Sequence, residues 1–396
     1  MIIPIGDAPD PRGGVSVATY LVIALNVAVY VLIAIPLSAA RPAPDDPLLD
    51  AYVRAMVDAF GPGSAREILA RVTAYDLFVF QYGFRPSHPS LVTLVTSMFL
   101  HAGFMHLAGN MLFLWIYGDN VEHRLGFVRY LLLYFGGGVA ATLFHSVFAG
   151  TTSVPMVGAS GAISGVLGAY FIWFPHNRVR LLWLFPPFVM QTIEVPARLV
   201  LGFYLVLDNL LPFLITRSDV GVAHGAHIGG FLAGLAVAWW MDRRSVDRAP
   251  AEYVAASPPR NEPSAAAAIA DAIAAGRLEE AASRYFALPP AATRGVLSAE
   301  DALRLAEWLH THGHPEAAVI TARRLLRDHP DGPERAAAHV LVGETLLDEL
   351  RQPTPAYQHF LDALDLDPPP ALAERARDGV ARIAALQKRQ IGRPRS

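Results

Sequence analysis

The chain has 396 residues, enough for two or three domains. It is 53% hydrophobic, carries 17% charged residues and has a positive mean hydropathy, where an average soluble domain carries roughly 25% charge, so composition favours a membrane protein. A formal charge of −3 gives no case for nucleic acid, and the absence of cysteine excludes disulfides, a thiolate nucleophile and Cys-ligated metal.

In chain order, residues 1–15 form a short N-terminal segment. The first apolar run, from Ser16 to about Leu37, is too long for a signal-peptide core and reads as a retained transmembrane helix. Six apolar spans follow from the hydropathy pattern: 16–38, 97–118, 127–149, 158–175, 195–215 and 224–241. Each approaches the roughly 20 residues that cross a hydrocarbon core. Between spans one and two lies a long loop, 39–96, with amphipathic pieces Tyr52–Phe60 and Ala65–Phe80 suited to a membrane surface. The run Leu181–Met190 is apolar but interrupted by Pro186 and Pro187, and reads as an interfacial or re-entrant approach to span five.

Arg124 and Arg129, Arg178 and Arg180, and Arg243, Arg244 and Arg248 fall in alternate gaps and therefore share one side. Excess Lys and Arg mark the cytoplasmic face, which puts both termini there. Arg217 is the exception among the opposite loops. Residues 243–263, with Ala-Pro-Ala, Ser-Pro-Pro and Asn-Glu-Pro, read as a Pro-rich linker. Residues 264–386 are rich in Ala, Arg, Glu and Asp with a helical period, and 387–396 form a basic tail. Ala275–Ala281 echoes His312–Ala318 about 37 residues on, and Arg327–Pro330 echoes Leu366–Pro368. That period suggests helix–turn–helix repeats similar to tetratricopeptide repeats in length and turn, with a generic α-solenoid or an unrelated helical bundle as alternatives. The predicted fold is all-α: a six-helix membrane domain over 16–242, then a soluble helical-repeat domain.

Polar residues in the membrane domain carry the functional signal. Given the orientation, Ser160 on span four, His227 on span six, and His106 and Asn110 on span two all lie in the extracytoplasmic half. Polar groups at membrane depth are costly and tend to face one another or a cavity. His106 and Asn110 share one helix face at i, i+4. Gly158, Gly161 and Gly165 make a small-residue stripe beside Ser160, and Gly230 and Gly234 a Gly-x-x-x-Gly pair below His227. Such stripes let helices pack closely, and a hydroxyl and imidazole must come within about 3 Å to exchange a proton. Ser160 then reads as a nucleophile with His227 as its base, and Asn110, His106 and the Ser160 N–H as oxyanion donors. No acidic residue is placed to orient His227, so the expectation is a Ser–His dyad. Ser164 reads as a back-bonding helix serine. His101 and His224 read as interfacial, and Asp208 and Asn209 on span five as helix-pairing residues or the lining of a water path. No cofactor and no metal is called for: His101 and His106 are five apart, not at zinc-binding helical spacing.

Residues 85–241 resemble a rhomboid intramembrane serine protease. The resemblance rests on His101 with His106-x-x-x-Asn110, Gly158-x-Ser160-Gly161, and Ala226-His227-x-Gly229-Gly230 followed by Gly234, in that order. It implies a six-helix core whose water-filled cavity opens extracytoplasmically. It also implies serine endopeptidase activity on single-pass transmembrane substrates within the bilayer, with the roles just given to Ser160, His227, His106 and Asn110. The implied setting is a cell membrane, bacterial inner membrane by expectation, with the C-terminal repeats binding a cytoplasmic protein or peptide. Two positions depart from the family pattern: Val92-Thr93 stand where many members have Trp-Arg, and Ser164 where some have a tyrosine packed on the histidine.

Overall fold

A computed structural model describes residues 2–9, 15–185, 189–215, 223–247, 250 and 265–391. Arg217, Arg248, Pro186, Pro187, most of the expected linker and the end of the basic tail lie outside the described residues. The chain divides into two compact units, Met1–Ala8 with Gly14–Ala238, and Pro9–Gly13 with Trp239–Ser396.

The first unit is mostly helical, consistent with the all-α expectation, and adds one small sheet that the hydropathy pattern does not announce. Strand β1 (Ile2–Ala8) lies where a plain N-terminal segment was expected, and β2 (Arg178–Phe185) and β3 (Val189–Pro196) occupy the expected re-entrant run. They form an antiparallel sheet in the order β1-β2-β3, with Ala8 opposite Arg178 and Arg178 opposite Pro196. The alternation Arg178-Val179-Arg180-Leu181 suits a strand with one covered face, and Val179 is fully buried.

Helix α1 (Val17–Val29) continues through a π turn at Tyr30–Ala34 into α2 (Ile35–Ala39). The long loop is helical, as α3 (Leu49–Phe60), α4 (Ala65–Arg71), α5 (Ala74–Tyr82) and α6 (Leu91–Thr96). It is fastened without a Trp-Arg pair. The Tyr75 hydroxyl donates to the His101 carbonyl at 3.0 Å and accepts from the His101 N–H at 3.2 Å. Phe84 and Met156 exchange backbone hydrogen bonds of 3.1 and 2.8 Å. Val92 is exposed.

Then come α7 (Phe104–Leu125), α8 (Phe127–Ala149), α9 (Ser160–Trp173), α10 (Ala197–Leu205), a π turn at Val206–Leu210, α11 (Leu211–Ile215) and α12 (His224–Asp247). Helices thus stand at all six expected positions. Among the described residues, however, three are long and apolar enough to cross a bilayer: Val17–Ala39, Phe127–Ala149 and Ala197–Ile215. A fourth is added if Leu91–Phe99 and Phe104–Leu125, bent by 91°, count as one span. The shortfall has a physical cause. With 14 residues, α9 is about 21 Å long, short of a hydrocarbon core of about 30 Å. It starts beside a cavity, and α12 carries His224 and His227 at one end and Asp242, Arg243 and Arg244 at the other.

The sheet end of this unit is held by two buried carboxylates. Asp7 on β1 accepts from Asn120 on α7 at 3.0 Å, from Asn177 at 3.1 Å and from the Tyr170 hydroxyl on α9. Glu122 accepts from the Ala18 and Thr19 N–H groups at 2.8 and 2.7 Å and from the Thr19 hydroxyl at 2.8 Å. Those N–H groups open α1, whose own Ser16 makes no side-chain cap, so α7 caps α1 from outside.

The second unit holds α13 (Ala265–Ala274), α14 (Leu278–Ala287), α15 (Ala299–Thr311), α16 (Pro315–Asp328), α17 (Arg335–Glu344, then a π turn to Glu349), α18 (Pro353–Leu364) and α19 (Pro370–Ile391). Successive pairs form hairpins around one apolar core that includes Ile269, Tyr285, Leu305, Leu325, Val340 and Phe360. Each hairpin turns on one residue with positive φ: Gly276 (73°), Gly313 (80°) and Arg351 (55°).

Candidate active site

Three helices of the first unit, α7, α9 and α12, start near a common cavity of about 620 Å³. Its lining includes His106, Asn110, Ser160, Tyr204 and His227. All four of the polar residues matched by depth in the sequence therefore face one space.

Ser160 is the first residue of α9. The approach to it is set by Gly158, which has φ +125°. A Cβ at Gly158 would lie 2.9 Å from His106 Nε2 and 3.6 Å from Ser160 Oγ. Glycine is needed there for both conformation and space. Gly158 lies before the helix and packs on His106, so the expectation that it belongs to a helix-packing stripe is corrected. The other glycines do bring helices together. A Cβ on Gly230 would lie 2.1 Å from the Gly161 carbonyl oxygen, and one on Gly234 1.9 Å from that of Gly165. Gly161 and Gly165 also face Ala141 and Gly137 on α8. The α9 and α12 backbones thus touch without side chains between them.

That approach sets the central contact: Ser160 Oγ and His227 Nε2 are 2.8 Å apart. Both residues are half-buried. On the far side of the imidazole, Nδ1 lies 2.5 Å from Asn209 Oδ1. The Asn209 amide nitrogen donates to the Tyr204 carbonyl at 2.8 Å. The Tyr204 ring lies 6.1 Å from the His227 ring at an interplanar angle of 32°, and its hydroxyl is 2.9 Å from Ser164 Oγ. Ser164, expected to bond its own helix, instead meets span five. Asn209 is buried, whereas neighbouring Asp208 is exposed.

Asn110 is buried and donates to the His106 carbonyl at 2.9 Å, leaving its second amide hydrogen for another acceptor. His101 is fully buried rather than interfacial, its ring 5.2 Å from that of His106. His224 is half-buried, its ring 6.5 Å from that of His227. A hydroxyl bonded to an imidazole, beside a helix N-terminus with unpaired N–H groups, can carry out acyl transfer.

Among the described residues, the grouping with metal-ligand spacing is elsewhere, at His339, His359 and Asp362. His359 Nδ1 lies 3.1 Å from His339 Nδ1, and Arg323 Nη2 lies 3.4 Å from His359 Nε2. An Nε2 that accepts from Arg323 leaves the proton on Nδ1, which can then donate to His339 Nδ1, while Asp362 Oδ2 lies 3.6 Å from the same His339 nitrogen.

The sequence leaves the role of Asn209 open and gives no signal for Tyr204. Two polar side chains five apart do not share a face of a regular α-helix, and the π turn that brings them together has no simple sequence signature.

Residues 88–244 match the rhomboid domain. Three relatives illustrate the range of similarity. Rhomboid protein 1, mitochondrial, of Saccharomyces cerevisiae is 31% identical over 39% of this chain and 43% of its own length. Rhomboid protease GluP of Bacillus subtilis is 34% identical over 36% of this chain and 24% of its own. RHOMBOID-like protein 1 of Arabidopsis thaliana is 36% identical over 36% of this chain and 32% of its own. The chain spans less than half the length of each of these relatives. With its apolar helices, this is a membrane protein, and the part that contains Ser160 and His227 is similar to the rhomboid domain.

Proposed function

We propose that this chain is an intramembrane serine endopeptidase that uses a Ser160–His227 dyad. The observation that carries the reading is the 2.8 Å contact between Ser160 Oγ and His227 Nε2 inside the cavity. A relative named as a rhomboid protease supports it.

In this mechanism His227 Nε2 takes the Ser160 proton as Oγ attacks the scissile carbonyl carbon. The resulting oxyanion accepts from the Ser160 N–H, from the free hydrogen of the Asn110 amide and from His106. When the intermediate collapses, the C–N bond breaks and His227 returns the proton to the leaving amine. Water, deprotonated by the same imidazole, then hydrolyses the acyl-serine ester. The substrates are single-pass transmembrane proteins in a lipid bilayer. A transmembrane helix hides its carbonyls in its own hydrogen bonds, so substrates need helix-weakening residues near the cut.

The rest of the reading concerns placement. The six helices form the multi-pass core in a cell membrane, a bacterial inner membrane by this reading. Arg124, Arg178, Arg180, Arg243 and Arg244 keep the sheet end and both termini cytoplasmic. Residues 264–386 are tetratricopeptide-like repeats that bind a cytoplasmic protein or peptide. No cofactor takes part.

Purified protein in liposomes should cut a single-pass reporter with a Gly/Ala-rich transmembrane segment. Ser160→Ala should lower the rate by at least about 10⁴-fold. Undiminished cleavage by that variant would sink the proposal.

A further inference from the structure

We propose that Asn209 is the positioning residue of the site, holding His227 in the one tautomer and orientation that can take the Ser160 proton. This deepens the Ser160–His227 reading and rests on it. No carboxylate is needed, because a neutral amide on span five does the work.

The argument begins at the Tyr204 carbonyl, which can only accept. Its partner on Asn209, 2.8 Å away, must be the amide nitrogen. The amide cannot be turned over, and Oδ1 faces His227 Nδ1 at 2.5 Å. An oxygen acceptor at that distance requires a proton on Nδ1. A neutral imidazole protonated at Nδ1 carries its lone pair on Nε2, the atom 2.8 Å from Ser160 Oγ. The chain Tyr204 carbonyl, Asn209 amide, His227 ring and Ser160 hydroxyl therefore has a single consistent direction. The opposite tautomer would set two lone pairs against each other at Asn209 and remove the base from Ser160.

Two features of span five make the arrangement specific. The π turn at Val206–Leu210 widens the helix where Asn209 sits, and such turns often occur at functional sites. Asn209 is one of the few buried residues on this stretch, with Ala197 and Leu201. Tyr204, one turn earlier, lies beside the same imidazole and is tied to Ser164 on α9 at 2.9 Å. Ring plane and ring tautomer are thus both set from span five.

The test compares Asn209→Leu, which keeps the volume but has no acceptor, with Asn209→Asp, which restores an oxygen toward Nδ1. Three readouts are taken on full-length protein in liposomes: kcat and KM on the reporter above, the rate of Ser160 labelling by a fluorophosphonate, and ¹⁵N-histidine NMR with the His227 signals assigned by difference against His227→Gln. Asn209→Leu should lower kcat and labelling by about 10²-fold or more, with KM within about threefold of wild type. It should also shift the His227 proton from Nδ1 toward Nε2. Asn209→Asp should recover at least about tenfold of the lost kcat and return the proton to Nδ1. The proposal is overturned by a kcat for Asn209→Leu within about threefold of wild type, by no difference between the two variants, or by an unchanged tautomer. If wild type shows no Ser160-dependent cleavage or labelling, the protease reading fails; the tautomer shift needs no turnover and still decides the role of Asn209.

Discussion

The two units of this chain differ in how much polarity they bury and in what they expose. In the C-terminal unit the interior is mainly apolar, with Ile269, Leu305, Leu309, Val340 and Phe360 fully covered; Arg324 is buried against the Tyr285 and Phe286 rings, while charge elsewhere lies outside, as in the Arg375–Glu344 and Arg382–Asp348 pairs. In the N-terminal unit the interior holds, beside apolar residues such as Leu114, Val166 and Phe231, the polar Asp7, Thr19, Asn26, Asn110, Asn120, Glu122, Ser164 and Asn209, while Leu32, Leu132, Val147, Leu199 and Leu214 are exposed. Among the described residues, every exposed large apolar side chain lies at or before Trp240. The difference follows from the solvent. Water drives apolar groups inward, while lipid gives them no such reason and leaves backbone contact and hydrogen bonds to hold helices together. The first unit should therefore be sensitive to atoms added at its glycines, and the second to atoms removed from its core.

The largest effect is expected from Phe360→Ala. Phe360 is fully buried and fills the space above Gly343 and Gly379, where a Cβ would come within 2.6 and 2.4 Å of its ring. Truncation leaves a cavity and should cost about 3–5 kcal/mol. Hydrogen exchange should accelerate across residues 265–391. A cost below about 1 kcal/mol would mean that this core is not tightly packed.

Gly234→Ala tests the other side of the comparison. A single methyl there meets the Gly165 carbonyl oxygen at 1.9 Å, and backbone cannot yield as a side-chain tip can. A loss of about 1–3 kcal/mol is expected, with Ser160 labelling reduced because α9 and α12 are pushed apart. Leu132→Ala and Leu214→Ala, both exposed on apolar helices, should by contrast leave thermal unfolding in detergent within about 0.5 kcal/mol of wild type. If the glycine variant is as mild as these, close backbone packing is not what supports the unit.

Glu122→Gln removes one acceptor and the charge at the start of α1, and turns an amide toward N–H groups that need acceptors. About 1–2 kcal/mol should be lost. Amide exchange at Ala18 and Thr19 reports it directly. Unchanged protection would show that α1 needs no external cap.

How much of this was legible in the sequence depended on the reach of the signal. Ser160, His227, His106 and Asn110 stand out in the sequence because periodicity and span direction assign them a common depth, and all four line one cavity. The glycine contacts were legible for the same reason, apart from Gly158, where helix and approach loop cannot be told apart by composition. The sheet was missed because β1 and β2 pair across some 170 residues, and apolar Leu181–Leu184 resembles a membrane segment. The sequence leaves Asn209 between helix pairing and a water path, since its direction depends on a π turn. The short α9 was read as a full span because Gly158 and Ala159 continue its small-residue pattern into a segment that is not helical.

The smallest expected effect lies in the C-terminal unit and has the opposite sign. Gly276, Gly313 and Arg351 stand at the three hairpin turns, 37 and 38 residues apart, and all three have positive φ. The N–H that follows each reaches back into the preceding helix: Arg277 to Ala272, His314 to Leu309, Gln352 to Leu346. Glycine adopts this backbone freely, whereas arginine crowds its Cβ against the carbonyl, at a cost of about 1–2 kcal/mol. Arg351→Gly removes that strain but gives the unfolded chain more freedom, an offset of under about 1 kcal/mol. The net should be a stabilisation of about 0.5–1 kcal/mol, seen as slower exchange in α17 and α18. Destabilisation would show that the Arg351 side chain makes a contact worth more than the strain, and that the third turn is not equivalent to the first two.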